Sequence, residues 1–385
     1  MIRYSRQLIS PNDIKTVNQV LKSDFLTQGP KSILFEKKLS SKFNAKFSTS
    51  CNSATSALHL ACLALGVTKG DYVWTCTNSF VASASCALHC GAKIDLIDIN
   101  SESYNLDVNS LSKKLKVAHK KKKLPKIVIP VHFAGLPCEM KEIYKLSKKY
   151  KFKIVEDASH AVGSKYFNTK IGSCRYSDIT IFSFHPVKIM TTAEGGAALT
   201  NSKDLDHKLK FYRSHGIIKS RKFLNNRNKA NWYYECKDLG FNYRLNDIQS
   251  ALGISQLKNV NKWLLYRNKL AKNYQKKLKN LPIEFFPIKK GFYSSYHLFI
   301  IKILKNKKNL TRDNLFKYLY KKNIQTNVHY IPIHTHPFYK KLGFKSKNFP
   351  NAENYFKNCL SLPMHAALKL NEQNKVINLI KKFFK

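Results

Sequence analysis

The sequence predicts an α/β fold in which helices cover a largely parallel sheet. Between residues 71 and 156, short apolar runs typical of buried strands alternate with longer runs whose apolar residues recur at helical spacing. The apolar run 154–157 then ends in an acid, and the run 179–184 is followed closely by a lysine. A chain of 385 residues, 43% of them hydrophobic, can bury a large core and suggests two or three domains.

The elements of the first two thirds follow in chain order. Pro11 can begin a helix that continues to about Leu21, before a turn at Gly29 and Pro30. The alternating region predicts strands at 72–75, 93–97, 127–131 and 152–156, and helices at 79–89, 106–116 and 139–150. The basic, Asn-rich residues 219–231 indicate an exposed loop.

The last third has a different pattern. Asn246 or Asp247 can cap a long amphipathic helix. After it we predict strand 297–303, helix 312–322, strand 325–328 and a last helix near 372–384. This order is typical of a smaller α/β domain.

Charge and cysteine content narrow the possible functions. The formal net charge is +45, but the lysines are spread over the whole chain, and no aromatic platform accompanies the densest run, Lys120–Lys123. We therefore expect solvated helix faces and no nucleic-acid partner. Nine cysteines without a CxxC pair fit reduced thiols, and no signal-peptide-like or membrane-length apolar segment occurs. These features predict a cytoplasmic enzyme without a membrane partner.

An acid and an amine are predicted to meet at one edge of the sheet. Asp157 and Lys188 each follow a buried strand, and loops leaving the carboxyl ends of parallel strands converge on one crevice. Lys188 differs from the surface lysines because an apolar strand precedes it and the small polar turn TTAEGG follows it. This pair suits pyridoxal phosphate, because a carboxylate can keep the pyridine nitrogen protonated and an amine can bind the aldehyde.

Several motifs resemble one enzyme family. The segments EDASHAVGS, SFHPVK and TTAEGGAALT are similar to those of the DegT family of sugar-nucleotide aminotransferases, which belong to the fold-type I pyridoxal phosphate enzymes. The resemblance spans the chain through LTQGP, CNSATSALHL, FYRSHGI, FNYRLNDIQSALGISQLK, VHYIPIHTHPFY and LSLPMHAAL. It implies a large domain with a mostly parallel seven-stranded sheet and a smaller C-terminal α/β domain. We divide the chain into a pocket-lining segment 1–30, a cofactor-binding domain 31–256 and a small domain 257–385.

The resemblance also implies site residues at the matching positions. The implied catalytic residues are Lys188 and Asp157. The implied cofactor contacts are Ala54, Thr55, Phe80, Asp157, His160, Ser183, Lys188 and Asn242. The implied substrate contacts are Tyr4, Asp24, Phe25, Leu26, Thr27, Asn242, His329 and Tyr330. Because the family's Asn at position 242 reaches the partner's site, a homodimer with shared sites is expected.

From the residues alone, these positions have structural alternatives. The segment Asn52–Thr55 marks a helix N-terminus, which can bind phosphate, but any helix begins this way. Phe80 can equally be a core residue, His160 a structural histidine, and Ser183 a strand-end serine. The cluster His329, His334 and His336 invites a zinc site, which we reject because prolines make the segment irregular and no further ligand stands at suitable spacing.

The function implied by the resemblance is amino transfer. L-glutamate would donate its amino group, through pyridoxal phosphate, to C4 of a UDP-linked 4-keto-6-deoxy-N-acetylhexosamine on the way to pseudaminic acid. Relatives that dehydrate sugars carry His at the position of Lys188. The lysine here therefore favours amino transfer over dehydration. One alternative is the same chemistry on another nucleotide-linked 4-keto sugar, of the legionaminic acid or bacillosamine type. The other is a non-catalytic basic protein with the same fold.

Overall fold

The computed structural model describes residues 1–220, 224–225 and 230–385. Most of the loop predicted at 219–231 therefore lies outside the described residues. The helices of the described part are α1 (Pro11–Leu21), α2 (Pro30–Phe43), α3 (Ala54–Ala64), α4 (Ala82–His89), α5 (Val108–Lys120), α6 (Met140–Tyr150), α7 (Lys203–Arg213), α8 (Asp247–Leu278), α9 (Arg312–Lys321), α10 (Pro337–Lys341), α11 (Pro350–Asn358) and α12 (Leu370–Phe384).

The strands are β1 (Phe47–Cys51), β2 (Tyr72–Cys76), β3 (Lys93–Ile97), β4 (Ile127–Ile129), β5 (Lys153–Asp157), β6 (Lys165–Tyr166), β7 (Thr169–Lys170), β8 (Ile179–Ser183), β9 (Gly196–Thr200), β10 (Ile217–Ile218), β11 (Glu235–Cys236), β12 (Ile283–Glu284), β13 (Phe292–Tyr293), β14 (Phe299–Ile303) and β15 (Cys359–Leu362). Within the described ranges, single-turn 3₁₀ helices lie at Phe133–Gly135, Ile333–Thr335 and Ser346–Asn348.

Seven strands form the main sheet in the order β1-β9-β8-β5-β4-β2-β3. The pairs from β3 to β8 are parallel, and only β9 runs against its two neighbours. The predicted mostly parallel seven-stranded sheet is therefore confirmed. Asp157, the last residue of β5, pairs with Ile181 in β8, so the acid lies at the carboxyl edge of the sheet.

Helix α3 packs unusually close to β9. Its sequence, ATSALHLACLA, is apolar nearly all round, and most of the helix is buried, as expected for an interior helix. The backbone of Ser53 and Ala54 lies against Gly196, where a Cβ atom would be 2.5 Å from the amide nitrogen of Ala54. Glycine at 196 therefore allows the first turn of α3 to approach the sheet.

A second, antiparallel sheet has the order β12-β14-β15. The strand predicted at 325–328 is wrong, because these residues form no ladder. Asn327 makes a single bridge to Ser361, and Ile324, just before the predicted strand, bridges Ile2. Helix α8 runs unbroken through residue 256, so the predicted domain division lies within a helix and stays a prediction.

Two further findings concern cysteines and membrane-spanning segments. All nine cysteines lie in the described residues and are free thiols, eight of them buried or half-buried. In the part of the chain that the structure describes, no helix combines the length and the apolar character needed to cross a membrane.

Gly196→Ala is expected to destabilise the protein by about 3 kcal/mol, because the added methyl group meets backbone that cannot move aside easily. Thermal unfolding of the cofactor-free protein measures the loss. The control is Gly70→Ala, where a Cβ meets nothing within 4 Å and only the left-handed backbone costs about 1 kcal/mol. Equal losses in the two variants would contradict the proposed close packing at Gly196.

Candidate active site

A cavity of about 580 Å³ lies at the carboxyl edge of the main sheet. It collects side chains from the N-terminal segment, from the loops after β1, β2, β5 and β8, and from the segment before α10. The predicted site residues that line it are Tyr4, Ala54, Thr55, Phe80, Asp157, His160, Ser183, Lys188, His329 and Tyr330. The structure thus brings together residues from Tyr4 to Tyr330, which are far apart in the sequence.

One wall of the cavity is the N-terminus of α3. The Ser53 side chain accepts a hydrogen bond from the Ser56 amide, as an N-cap does. The amides of Ala54 and Thr55 belong to the first turn of α3, where N–H groups have no acceptors within the helix. Such free N–H groups favour the binding of an anion. Ser183, at the end of β8, lines the same cavity.

The Asp157 carboxylate is nearly fully buried and has a donor on each oxygen. Oδ1 accepts from the Ser159 amide at 3.1 Å, and Oδ2 accepts from the Ser83 hydroxyl at 2.6 Å. The Ser83 hydroxyl is in turn 2.7 Å from that of Ser79, another cavity residue. The carboxylate is therefore held in one orientation by groups of its own chain.

The Lys188 amine is poised to act as a nucleophile. Burial lowers its pKa from the ordinary 10.5 to about 8, while the negative charge of Asp157 partly opposes that effect. A larger fraction of the amine is consequently uncharged near neutral pH than in an exposed lysine. Only the uncharged amine can attack an aldehyde.

His160 is fixed in one tautomer. Its Nδ1 accepts a hydrogen bond from the Ala134 amide at 3.3 Å, so the ring proton resides on Nε2, which lies 2.9 Å from the Tyr330 hydroxyl. Burial, followed by the charge of Lys188, holds the pKa of His160 well below its usual range. His160 is thus a neutral donor to Tyr330, and burial raises the pKa of Tyr330, so its phenol keeps its own proton.

Phe80 is not a core residue. Its side chain is 58% exposed within this cavity, and its ring centroid lies 6.2 Å from that of Tyr330. Exposed aromatic surface of this kind suits stacking on a planar ligand.

Sequence reasoning missed three residues of the site: Ser79, Ser83 and His297. The His297 ring lines the cavity 4.3 Å from that of His160, and its Nδ1 is buried without a protein partner among the described residues. Burial also depresses the pKa of His297 far below its usual range. The run TNSFVAS is the only local signal for the two serines, and its small residues are equally common in ordinary helix starts.

Five predicted residues do not line this cavity: Asp24, Phe25, Leu26, Thr27 and Asn242. All five are exposed. The loop that contains Leu26 is held at the start of α8, where the Asp247 amide donates to the Leu26 carbonyl. Asn242 bridges Ser214 through its backbone.

The three clustered histidines are in different surroundings. His329 Nδ1 is 2.8 Å from the Ser361 hydroxyl, and His334 lies between Thr77 and Glu353. His336 lines the cavity. Across the residues that the structure describes, no group of three or more His, Cys, Asp or Glu side chains could hold a metal ion.

The donor set fits pyridoxal phosphate. First-turn amides at α3 suit the phosphate, and the close approach permitted by Gly196 brings them to the start of β9. The acid Asp157 and the amine of Lys188, whose pKa is lowered, share the same cavity.

Comparisons with known proteins agree with this geometry. The model of the DegT/DnrJ/EryC1/StrS aminotransferase family matches residues 7–381. The chain is 40% identical over 374 residues to the UDP-4-amino-4,6-dideoxy-N-acetyl-beta-L-altrosamine transaminase of Campylobacter jejuni, covering 97% of this chain and 94% of that protein.

Two solved structures are also similar. Helicobacter pylori PseC, described as an aminotransferase involved in the biosynthesis of pseudoaminic acid, superposes with a TM-score of 0.90 at 34% identity, covering 100% of this chain and 99% of that one. The pyridoxal phosphate form of a putative sugar aminotransferase from Streptococcus pneumoniae gives a TM-score of 0.88 at 29% identity, covering 99% and 98% of the two chains.

The lowered pKa of Lys188 predicts how the cofactor-free protein captures pyridoxal phosphate. The rate should rise with pH, reach half of its limit near pH 8 and level off about one pH unit higher, because only there is most of the amine uncharged. Stopped-flow absorbance of the visible band follows the capture, with N-acetyl-lysine as the reference amine. A rate that keeps rising beyond pH 10, as for the reference, would show that Lys188 has an ordinary pKa.

Proposed function

Because the chain belongs to the DegT/DnrJ/EryC1/StrS aminotransferase family, we propose that it transfers the amino group of L-glutamate to C4 of a UDP-linked 4-keto-6-deoxy-N-acetylhexosamine. The product is UDP-4-amino-4,6-dideoxy-N-acetyl-beta-L-altrosamine, an intermediate for pseudaminic acid. The observation that carries the proposal is the convergence of Lys188, Asp157 and the N-terminus of α3 on one cavity. Similarity to the Campylobacter jejuni transaminase supports the choice of sugar.

The residues of this chain have distinct tasks in that reaction. Pyridoxal phosphate, when bound, supplies the electron sink that lets an amino group move between donor and acceptor. Lys188 holds the cofactor through Nζ and transfers protons at the reacting carbon. Asp157 would accept a hydrogen bond from the protonated ring nitrogen, and Ala54, Thr55 and Ser183 would bind the phosphate.

The substrate wall is formed by neutral hydrogen-bonding rings. His329, whose pKa is lowered by burial to about 3, stays uncharged at physiological pH, as does the phenol of Tyr330. Tyr4 lies beside His329, with ring centroids 5.6 Å apart. These groups suit the hydroxyl and carbonyl oxygens of a sugar, while the net charge of +45 attracts the acidic nucleotide. We place the enzyme in the cytoplasm, where free thiols persist.

The partner in our proposal is a second copy of the chain. Asn242 and the loop Asp24–Thr27 are exposed and lie outside their own cavity, which supports their use by a partner subunit. Large apolar side chains are also strongly exposed at these positions or close to them in sequence: Phe25 at 54%, and Leu239, three residues before Asn242, at 79%. We propose that the partner subunit covers them.

The direct test is incubation of the purified enzyme with glutamate and a panel of UDP-linked 4-keto-6-deoxy-N-acetylhexosamine epimers. We expect 2-oxoglutarate and the altrosamine product from the β-L-arabino ketone. If an amino sugar forms only from another epimer, the proposed substrate is wrong but the proposed amino transfer is correct. A purified protein that cannot take up the cofactor would overturn the proposal.

Asp157→Asn is expected to keep the cofactor but to lower the rate by about a hundredfold or more, because an amide cannot hold the ring-nitrogen proton as negative charge develops. Steady-state rates with saturating glutamate measure the loss. The control is Asp107→Asn at the N-cap of α5, outside the cavity, where Asn caps as well as Asp. Full activity of Asp157→Asn would make Asp157 a structural acid.

The shared site predicts complementation between two weak variants. Lys188→Ala removes the amine of one pocket, and Asn242→Ala should weaken the pocket of the other subunit. In a mixed dimer one pocket then carries both lesions and the other carries neither. Random pairing makes half of the dimers mixed, so about a quarter of all pockets should regain activity.

The complementation experiment requires that Asn242→Ala alone is weak enough to give contrast. Subunit exchange is verified by mass spectrometry of differently tagged chains, and mixing each variant with itself is the control. If exchange occurs but the mixture only matches the sum of the separate activities, Asn242 serves its own subunit.

A further inference from the structure

The structure places an ordered pair of hydroxyl groups behind Asp157. Ser79, Ser83 and Asp157 are 2%, 0% and 5% exposed, so water does not compete for their hydrogen bonds. Ser83 Oγ is 2.6 Å from Asp157 Oδ2, and Ser79 Oγ is 2.7 Å from Ser83 Oγ. Both distances are typical of strong O–H···O hydrogen bonds.

The direction of the two hydrogen bonds follows from the chemistry of the groups. An ionised carboxylate can only accept, so Ser83 must donate its single proton to Asp157. Ser83 Oγ can then only accept from Ser79. The chain of donors therefore runs from Ser79 through Ser83 to Asp157, and each bond strengthens the next.

The turn that carries Ser79 is itself fixed to the opposite wall of the cavity. The Thr77 carbonyl accepts from the Ile333 amide at 2.8 Å, and the Asn78 side chain accepts from the Tyr330 amide at 3.2 Å. Ser83 lies on the first turn of α4, one turn after Ser79. The two hydroxyls thus have little freedom to leave Asp157.

We propose that Ser83, supported by Ser79, is a positioning residue that fixes the Asp157 carboxylate for the ring nitrogen of the cofactor. This inference rests on the role given to Asp157 in the proposed function. The Ser159 amide donates only to Oδ1 of Asp157, whereas Oδ2 accepts from the Ser83 hydroxyl. The Ser83 hydroxyl therefore sets the orientation of Oδ2. Without that hydroxyl, Oδ2 loses its donor from the protein, and the carboxylate is free to turn away from the orientation that suits the ring nitrogen.

The test is a set of serine variants of the full-length holoenzyme. Ser83→Ala should lower kcat by about tenfold with little change in KM for glutamate, since a charge-assisted hydrogen bond is lost where charge develops. Ser79→Ala should have a smaller effect of the same kind. Ser83→Thr keeps the hydroxyl and should recover most of the rate. Ser85→Ala, half-buried on the same helix, is the matched control and should leave kcat unchanged.

A double variant separates positioning from general damage. If Ser83 acts through Asp157, adding Ser83→Ala to Asp157→Asn should change kcat by less than about twofold, whereas a merely structural loss would be tenfold in both backgrounds. The affinity for pyridoxal phosphate is measured by absorbance titration of the cofactor-free proteins. Ser83→Ala should likewise change this affinity less in the Asp157→Asn background than in the parent protein.

The two proposals fail in different ways. An active Asp157→Asn protein would remove the role of Asp157 and the inference with it. An inactive Asp157→Asn together with a fully active Ser83→Ala would refute the inference alone. A kcat loss in Ser83→Ala that adds in full to that of Asp157→Asn would also refute it.

Discussion

A buried carboxylate must be surrounded by donors, and that requirement organises the centre of this protein. Asp157 ends a central parallel strand, where water is excluded and an unpaired charge would be costly. Its hydrogen-bond donors are the amide of Ser159, two residues farther along, and the hydroxyl of Ser83 in α4. The turn before α4 is in turn bonded to the segment that carries Tyr330. The carboxylate thus connects the sheet, a covering helix and the C-terminal part of the chain.

The charge inside the cavity is very different from the charge of the surface. The chain carries 68 Lys and Arg residues, yet among the cavity residues the structure describes, Lys188 is the sole lysine and no arginine occurs. Burial keeps the inner histidines, His160, His297 and His329, neutral. The surface charge can therefore vary without disturbing the balance between the amine and the acid, which depends on burial and on short-range partners.

Sequence reasoning predicted the framework well because the framework is local. Alternating apolar runs revealed the strands and helices, and the position of Asp157 and Lys188 after buried strands indicated that they would meet. The resemblance supplied the strand count. The strand predicted at 325–328 failed because its backbone is divided between two separate neighbours: the Gln325 amide donates to the Ile2 carbonyl, and Asn327 bridges Ser361 in β15.

The missed residues share a physical cause. Ser83 contacts Asp157 across 74 positions of sequence, and His297 meets His160 only after the C-terminal part folds against the sheet. Small hydroxyls and single rings leave no periodic pattern, so their role emerges only when distant segments are placed together. The division at residue 256 was drawn from a change of pattern, but the chain continues there as one helix.

That helix, α8, has a mechanical consequence. With 32 residues it is about 48 Å long and acts as a stiff rod. At one end the Asp247 carboxylate accepts from the amides of Gly29 and Lys31, and farther along Arg267 donates to the carbonyls of Tyr296 and Met364. Because one continuous helix is bonded at both places, it fixes the spacing between the C-terminal sheet and the loop before α2.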